Sequence, residues 1–350
     1  MTNGSFISSR NITNLARQMT IIGVLAVGMT LVIVAGHIDL SVGSIVGLTG
    51  GIAAILQVWF DWSTIPVILV TILTGILLGI WQGWWVAYKG VPAFIVTLGG
   101  MMIFRGILLG ISGGQTIAPM NNSFRMIGQA FIPELLSYIL LVIVIAAAFI
   151  MVVRKRKRRE GLGLNITSPL ADFGRVTVFC ILVTIFIFML NSHQGVPIPL
   201  LILFVIAGCF IFISQNTTFG RHIYAIGGNE EAAKLSGINI KRNLLYVFTI
   251  MGALSAIGGI ILTSRLNAGT VGAGDMYELD AIAAVVIGGT SLMGGVGTII
   301  GSILGALIMA SIDNGMSMMN VAPFWQYIVK GLILILAVYL DIASKKNAKS

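Results

Sequence analysis

Charge is what this sequence has least of. Lys, Arg, Asp and Glu together make up 9% of its 350 residues, against about 25% in ordinary soluble domains. Hydrophobic residues reach 57%, and mean hydropathy is +1.00. No soluble fold hides that much apolar surface, which excludes a water-soluble enzyme and a nucleic-acid binder. The formal charge of +9 then reads as loop cations that set membrane topology. Cysteine is confined to Cys180 and Cys209. Both lie in apolar runs, where a thiol behaves as a small apolar group, without metal-ligand spacing or a redox partner. His37, His193 and His222 are scattered and imply no metal site. Neither a G-x-x-x-x-G-K-[ST] phosphate loop nor an H-E-x-x-H zinc motif occurs, so the chain has no usual means of binding ATP and nominates no catalytic residue.

What is present is helix-forming and greasy. Apolar runs fall at about Met19–Gly36, Gly43–Phe60, Ile65–Tyr88, Pro92–Ile111, Leu135–Val153, Val176–Leu190, Leu200–Ile213, Leu244–Leu262, Ala281–Ile287, Thr298–Ile312 and Phe324–Leu340. Several are shorter than the roughly 20 residues a helix needs to cross a bilayer, and Ala281–Ile287 reads as half of a broken helix. With 43 glycines and little strand-like alternation, helices are favoured over a barrel. The expected fold is all-α, a polytopic transmembrane bundle of about ten or eleven spans, some short or broken. Residues 1–18 read as a polar interfacial segment, 19–343 as the membrane domain, and 344–350 as a basic tail.

Cations set the orientation. The block RKRKRR at Arg154–Arg159 and the loop Arg221–Arg242 both belong in the cytoplasm. Lys89 and the tail lysines Lys345, Lys346 and Lys349 fall on the same side, and Ser112–Glu134 faces outward. The same count puts the N-terminus outside with Arg10 and Arg17, against the positive-inside expectation. Gly75, Gly79 and Gly83, like Gly297, Gly301 and Gly305, are small-residue ladders that let helices approach closely. Two related halves and chance both stay open as the reason for this similarity.

The most informative stretch is polar. Within 219–243, EEAAKL at Glu230–Leu235 is a run of good helix formers. Asn229 stands at its N-cap, Glu230 and Glu231 fall in the first turn where the dipole favours negative charge, and Gly237 ends it. Taken alone, a solvated loop whose charges keep it inside the cell accounts for this composition. The run FGRHIYAIGGNEEAAKLSGI, however, resembles the coupling loop in permease subunits of bacterial ABC importers for ribose, xylose and related sugars. Similar stretches are GHIDLSVGS at Gly36–Ser44, PAFIVTLGGMMIFRGILLGI at Pro92–Ile111, YELDAIAAVVIGGTSLMGGVG at Tyr277–Gly297 and DNGMSMMNVAPFWQYIVKG at Asp313–Gly331.

That resemblance implies a multi-pass protein of the bacterial inner membrane that moves sugar but is not itself an enzyme. It implies two permease copies, cytoplasmic ATPase subunits that bind the ATP, and an extracytoplasmic sugar-binding protein. Gly220, Asn229, Glu230, Glu231, Ala232, Ala233, Lys234 and Gly237 become the ATPase-coupling residues, with Ala232 and Ala233 as the small face entering the partner. The resembled permeases begin with one further span, which this chain is expected to lack. The stretch Asp313–Gly331 points to D-xylose, with ribose, arabinose and galactose as alternatives. An ion-coupled secondary transporter is the rival reading; a membrane enzyme and a non-transporting subunit are weaker ones.

Pathway candidates are the buried polar groups. A carboxylate in a bilayer costs on the order of 2.5–3.5 kcal/mol by insertion scales, so intramembrane charges tend to be functional. Asp39 is expected to cap the helix starting near Ser41. Arg105 needs a partner, for which Glu278, Asp280 and Asp313 are candidates. Trp325 could stack on a sugar ring, although Trp81, Trp84, Trp85, Trp325 and Tyr327 fit better as interface anchors.

Overall fold

The computed structural model describes residues 5–163 and 168–347. Residues 1–4 of the N-terminal segment and 348–350 of the basic tail lie outside them. Every regular element among the described residues is a helix. Extended pairing there is limited to isolated bridges at Ile117/Gly269 and Phe131/Pro197. All-helical structure is what a bilayer demands, because each buried backbone polar group must be satisfied within its own segment. Nine helices among the described residues are long and apolar enough to cross a membrane, and a tenth, Val42–Val58, is shorter.

The chain divides into two compact units. The larger holds residues 15–130 and 199–347, the smaller residues 5–14 and 131–198.

Helix α1 (Ser9–Val34) begins in the smaller unit and continues through the larger, where α2 (Val42–Val58), α3 (Thr64–Lys89) and α4 (Ala93–Ser112) follow it. The amphipathic α5 (Asn122–Gln129) comes next. After the smaller unit come α8 (Ile198–Asn216), α9 (Thr218–Gly228), α10 (Glu230–Leu235) and α11 (Ile240–Leu266), then α12 (Tyr277–Ile287), α13 (Ile299–Met318) and α14 (Pro323–Asn347). The last two elements of the smaller unit, α6 (Glu134–Gly161) and α7 (Pro169–Asn191), form an antiparallel pair.

Helix α11 is the axis of the larger unit, and α3, α2 and α5 pack on it. Lipid supplies no hydrophobic drive between helices, so close backbone approach through small residues has to hold them together. The glycines do this. A side chain on Gly75 or Gly79 would run into the Gly252 or Phe248 carbonyl of α11, and one on Gly259 would meet the Val46 carbonyl of α2. The second ladder has another partner. Gly301 and Gly305 of α13 lie against the Gly288 and Ala284 carbonyls at and beyond the end of α12. The two ladders thus serve different pairings, which gives no support to two related halves.

Of the apolar helices, α2 and α12 fall short of a full span. The irregular segment 267–276 before α12 runs antiparallel to α2: Gly269 lies against Ala54, Ala273 against Gly47, and Gly274 against Gly43. Non-helical backbone in a membrane protein is tolerated where protein covers it or a cavity adjoins it. This segment packs on α2 on one side and lines a cavity on the other.

Four boundaries depart from the sequence reading. Helix α1 begins at Ser9, inside the segment expected to be merely interfacial. The basic block forms the last turns of α6, since Arg and Lys are good helix formers and cations complement a helix C-terminus. Helix α5 lies in what read as an outward loop; its eight residues are too few to show periodicity. FGRHIYAIGG is also helical, as α9.

Candidate functional site

Three side-chain caps in succession build the end of the molecule that carries Lys89, Lys241 and Arg242. The Thr217 hydroxyl accepts from the Gly220 amide at 3.2 Å and starts α9. The Asn229 side chain accepts from the Ala232 amide at 2.9 Å and starts α10. The Asn239 side chain accepts from the Arg242 amide at 3.0 Å and starts α11. Gly237, at φ +82°, makes the left-handed stop that an L side chain resists. Gly220 has no room for a side chain, because α9 turns tightly against the Ile213 and Ser214 carbonyls.

Orientation on α10 corrects the expected docking face. Ala233 is 4% exposed and packs inward, whereas Leu235 is 89% exposed. Glu231 and Ala232 are exposed with Leu235, as their spacing on one helical face requires. The outward face is therefore Glu231, Ala232 and Leu235, and Ala233 is the seat. Sequence pattern could not tell one alanine from the next, but the isolated Leu235 in a polar helix was a visible signal. Gly220, Asn229 and Gly237 shape the loop, and Glu230 and Lys234 line a cavity of about 690 Å³ together with Gly36, His37, Ala93 and Lys241. Burial holds the His37 imidazole below its usual pKa, against the opposing pull of Glu230.

Helix α9 is fixed to the membrane part from below. Ile223 and Ile226 are buried, and the Tyr224 hydroxyl donates to the Gly297 carbonyl at 2.8 Å. Gly227 sits against the Val34 carbonyl and the Gly295 amide, while the Gly295 amide donates to Val34 at 2.9 Å. Helix α9, on which α10 packs, thus touches the end of α1 and the loop between α12 and α13.

At the other end of α11, a cavity of about 370 Å³ is lined by Gln18, Arg265, Asp275, Asp313, Gln326 and Lys330, among others. Two of its charged residues, Asp313 and Lys330, belong to a triad completed by Asp280 behind the lining. The Lys330 ammonium lies 2.8 Å from Asp280 Oδ2 and 2.9 Å from Asp313 Oδ2. The Asp280 side chain is 1% exposed, and the remaining oxygen of each carboxylate, Oδ1, is buried without a protein partner. Two carboxylates thus share one cation. Lys330 stood in a quoted stretch, but as a lone lysine in an apolar run it gave no sign of which carboxylates would surround it.

Arg105 makes no hydrogen bond or close ion pair with Glu278, Asp280 or Asp313. Its guanidinium donates to the Val271 carbonyl at 2.6 Å and the Ala273 carbonyl at 3.0 Å, and lies 3.9 Å from Asp275 Oδ1. It pins the irregular segment before α12. Glu278 is buried against Gly43 at the start of α2. Asp39 is fully buried, and its Oδ1 accepts from the Ser41 amide at 2.8 Å and hydroxyl at 2.6 Å. Gln82 in turn donates to the Ser41 hydroxyl at 2.6 Å. Asp39 therefore closes the turn into α2, although Ser41 rather than Asp39 occupies the N-cap. Trp325 lies half-exposed beside Phe324 at 5.3 Å between ring centres, outside the linings of both cavities. The anchor pattern is clearer at Trp84, which stacks edge-on with Trp85 and carries Lys89 4.8 Å above its ring.

The spacing Gly110-Ile111-Ser112-Gly113-Gly114 matches a G-x-S-x-G elbow. Ser112, however, is buried at the end of α4 and donates to the Leu108 carbonyl at 2.7 Å. No group of His, Cys, Asp or Glu among the described residues is arranged to hold a metal.

Comparison with known proteins matches residues 11–338 to the family described as branched-chain amino acid transport system / permease component. The xylose transport system permease protein XylH of Escherichia coli (strain K12) is 52% identical over 347 residues, 99% of this chain and 88% of that protein. XylH of Haemophilus influenzae is 50% identical over 346 residues, 99% of this chain and 92% of that protein. The ribose import permease protein RbsC of E. coli (strain K12) is 34% identical over 337 residues, 96% of this chain and 87% of that protein. No solved structure matches. With a match of this length, ten apolar helices among the described residues and a capped polar hairpin between two of them, the chain belongs to the permease-component family of transport systems.

Proposed function

We propose that this chain is the membrane permease subunit of an ATP-driven D-xylose importer in the bacterial inner membrane. The observation that carries the sugar is the gap in similarity: 52% and 50% to two xylose permeases, against 34–36% to three ribose permeases. A separate ATPase subunit binds ATP, since this sequence has no phosphate loop. It docks on the outward face of α10, with Leu235 in its groove and Glu231 and Ala232 beside it. A sugar-binding protein delivers xylose at the opposite face, and a second permease copy completes the passage.

The cavity walled by Arg265, Asp275, Asp313 and Lys330 is the outer part of the pathway. Its charged and amide groups offer hydrogen bonds to sugar hydroxyls. The short helices α2 and α12, with the irregular segment held by Arg105, form the part that rearranges. Discontinuous helices of this kind recur at transporter binding sites. Nucleotide binding in the partner shifts the inward/outward population through differential contact with α10, and α9 hands that contact to α1 and to the α12–α13 loop.

The test is uptake in cells lacking their own pentose systems, with the permease expressed beside its ATPase and binding protein. Labelled xylose should accumulate, and excess unlabelled xylose should suppress it while ribose, arabinose and galactose do not. Preferential accumulation of any of those three would overturn the sugar assignment and leave the transport class intact.

A further inference from the structure

The basic block of α6 has one face turned to a pocket that topology alone does not require. Val152, Lys155, Arg156 and Arg159 of α6 line a cavity of about 150 Å³ with Asp172, Arg175 and Val176 of α7. The spacings are i, i+3, i+4 and i+7 on α6, and i, i+3 and i+4 on α7, so each set occupies a single helical face. Arg156 is held in place, paired with Asp172 at 2.7 Å and lying 5.9 Å from the Phe173 ring centre. Asp172 is the sole acid in this lining, which leaves Lys155, Arg159 and Arg175 as cations in excess. The lining is also graded along the helices. Val152 precedes the cations on α6 and Val176 follows them on α7, so both valines sit at the membrane side. Both helices are otherwise largely uncovered along their lengths.

We infer that this pocket binds the headgroup of an anionic phospholipid. The cations take the phosphate, and the valines take the first carbons of an acyl chain. A purely topological role for the block needs charge near the bilayer, but it needs neither a cavity nor an apolar floor. Clustered cations just beyond a span are also where anionic leaflets exert their attraction.

The test uses the purified full-length chain in nanodiscs of phosphatidylcholine with a minor fraction of phosphatidylglycerol, with bound lipid read by native mass spectrometry. Two triple variants remove the same charge from the same unit: Lys155→Gln/Arg159→Gln/Arg175→Gln inside the pocket, and Arg154→Gln/Lys157→Gln/Arg158→Gln on the other face of α6. The wild type should retain phosphatidylglycerol over phosphatidylcholine. The pocket variant should weaken that retention by about a hundredfold, and the other variant should leave it within about threefold. Equal losses in the two variants would reduce the effect to a diffuse field and overturn the proposal. So would the absence of any preference, or displacement of the lipid by millimolar inorganic phosphate, which would mark a site for free anions.

Discussion

A Lys330→Met permease is expected to reach the membrane in reduced amount and to take up xylose at less than about a tenth of the wild-type rate. Lys330 is the cation shared by Asp280 and Asp313, at 2.8 and 2.9 Å. Removing one partner of a buried pair leaves an uncompensated charge and typically costs roughly 3–5 kcal/mol. The cost falls on Asp280 most heavily, because its side chain is 1% exposed and has no water to turn to. A second variant separates stability from transport. In Asp280→Asn/Asp313→Asn/Lys330→Met the three charges vanish together, so the buried-charge penalty is relieved and membrane levels should recover. Uptake should stay low, since the cavity has lost two of its charged lining groups, Asp313 and Lys330. Recovery of uptake along with folding would make the triad a structural clamp only. Wild-type uptake by Lys330→Met itself, at a normal membrane level, would remove the triad from the mechanism.

The second large effect is expected on α10, where neighbouring positions should fail in different ways. Leu235 is 89% exposed and Ala233 is 4% exposed. Leu235→Asp changes a solvent-facing side chain, and such changes usually stay within about 0.5 kcal/mol of stability. The variant should insert normally and retain its fold, yet lose more than about tenfold in uptake because its ATPase no longer engages. Ala233→Trp is the opposite case. It forces an indole into a seat packed for a methyl group, and overpacking costs roughly 1–3 kcal/mol or more. That variant should show a lowered melting temperature in detergent as well as lost uptake. A well-folded Ala233→Trp with selective loss of ATPase binding, beside a fully active Leu235→Asp, would restore the alanine face as the docking surface.

The contrast between these residues shows what could be read in the sequence and what could not. Asn229, Glu230 and Gly237 announced α10 to the residue, because capping and chain reversal are local rules that need no knowledge of the rest of the fold. Apolar length likewise announced the spans. Which side of α10 faces inward depends on what α9 and α11 place beneath it, and a six-residue helix carries no periodicity to reveal that. Long-range pairing was hidden for a related reason. Asp280 and Lys330 are separated by 50 residues, and Arg105 satisfies itself largely on backbone carbonyls, 166 and 168 residues away. A carbonyl is offered by every residue, so no side-chain pattern points to it. The α6 cations show a milder failure: their charge was evident, but the helix that sorts them into two faces runs past the end of the apolar pattern.

Uptake is expected to be driven by a separate ATPase acting through α10. Proteoliposomes carrying the permease, its ATPase and, on the outside, its binding protein test it most directly, with labelled xylose outside and ATP sealed within. Accumulation should require lumenal ATP and the ATPase, be unaffected by a protonophore, and be lost in Leu235→Asp. Accumulation without the ATPase, driven by an imposed proton or sodium gradient and abolished by Asp39→Asn or Asp280→Asn, would contradict it and make the chain an ion-coupled transporter.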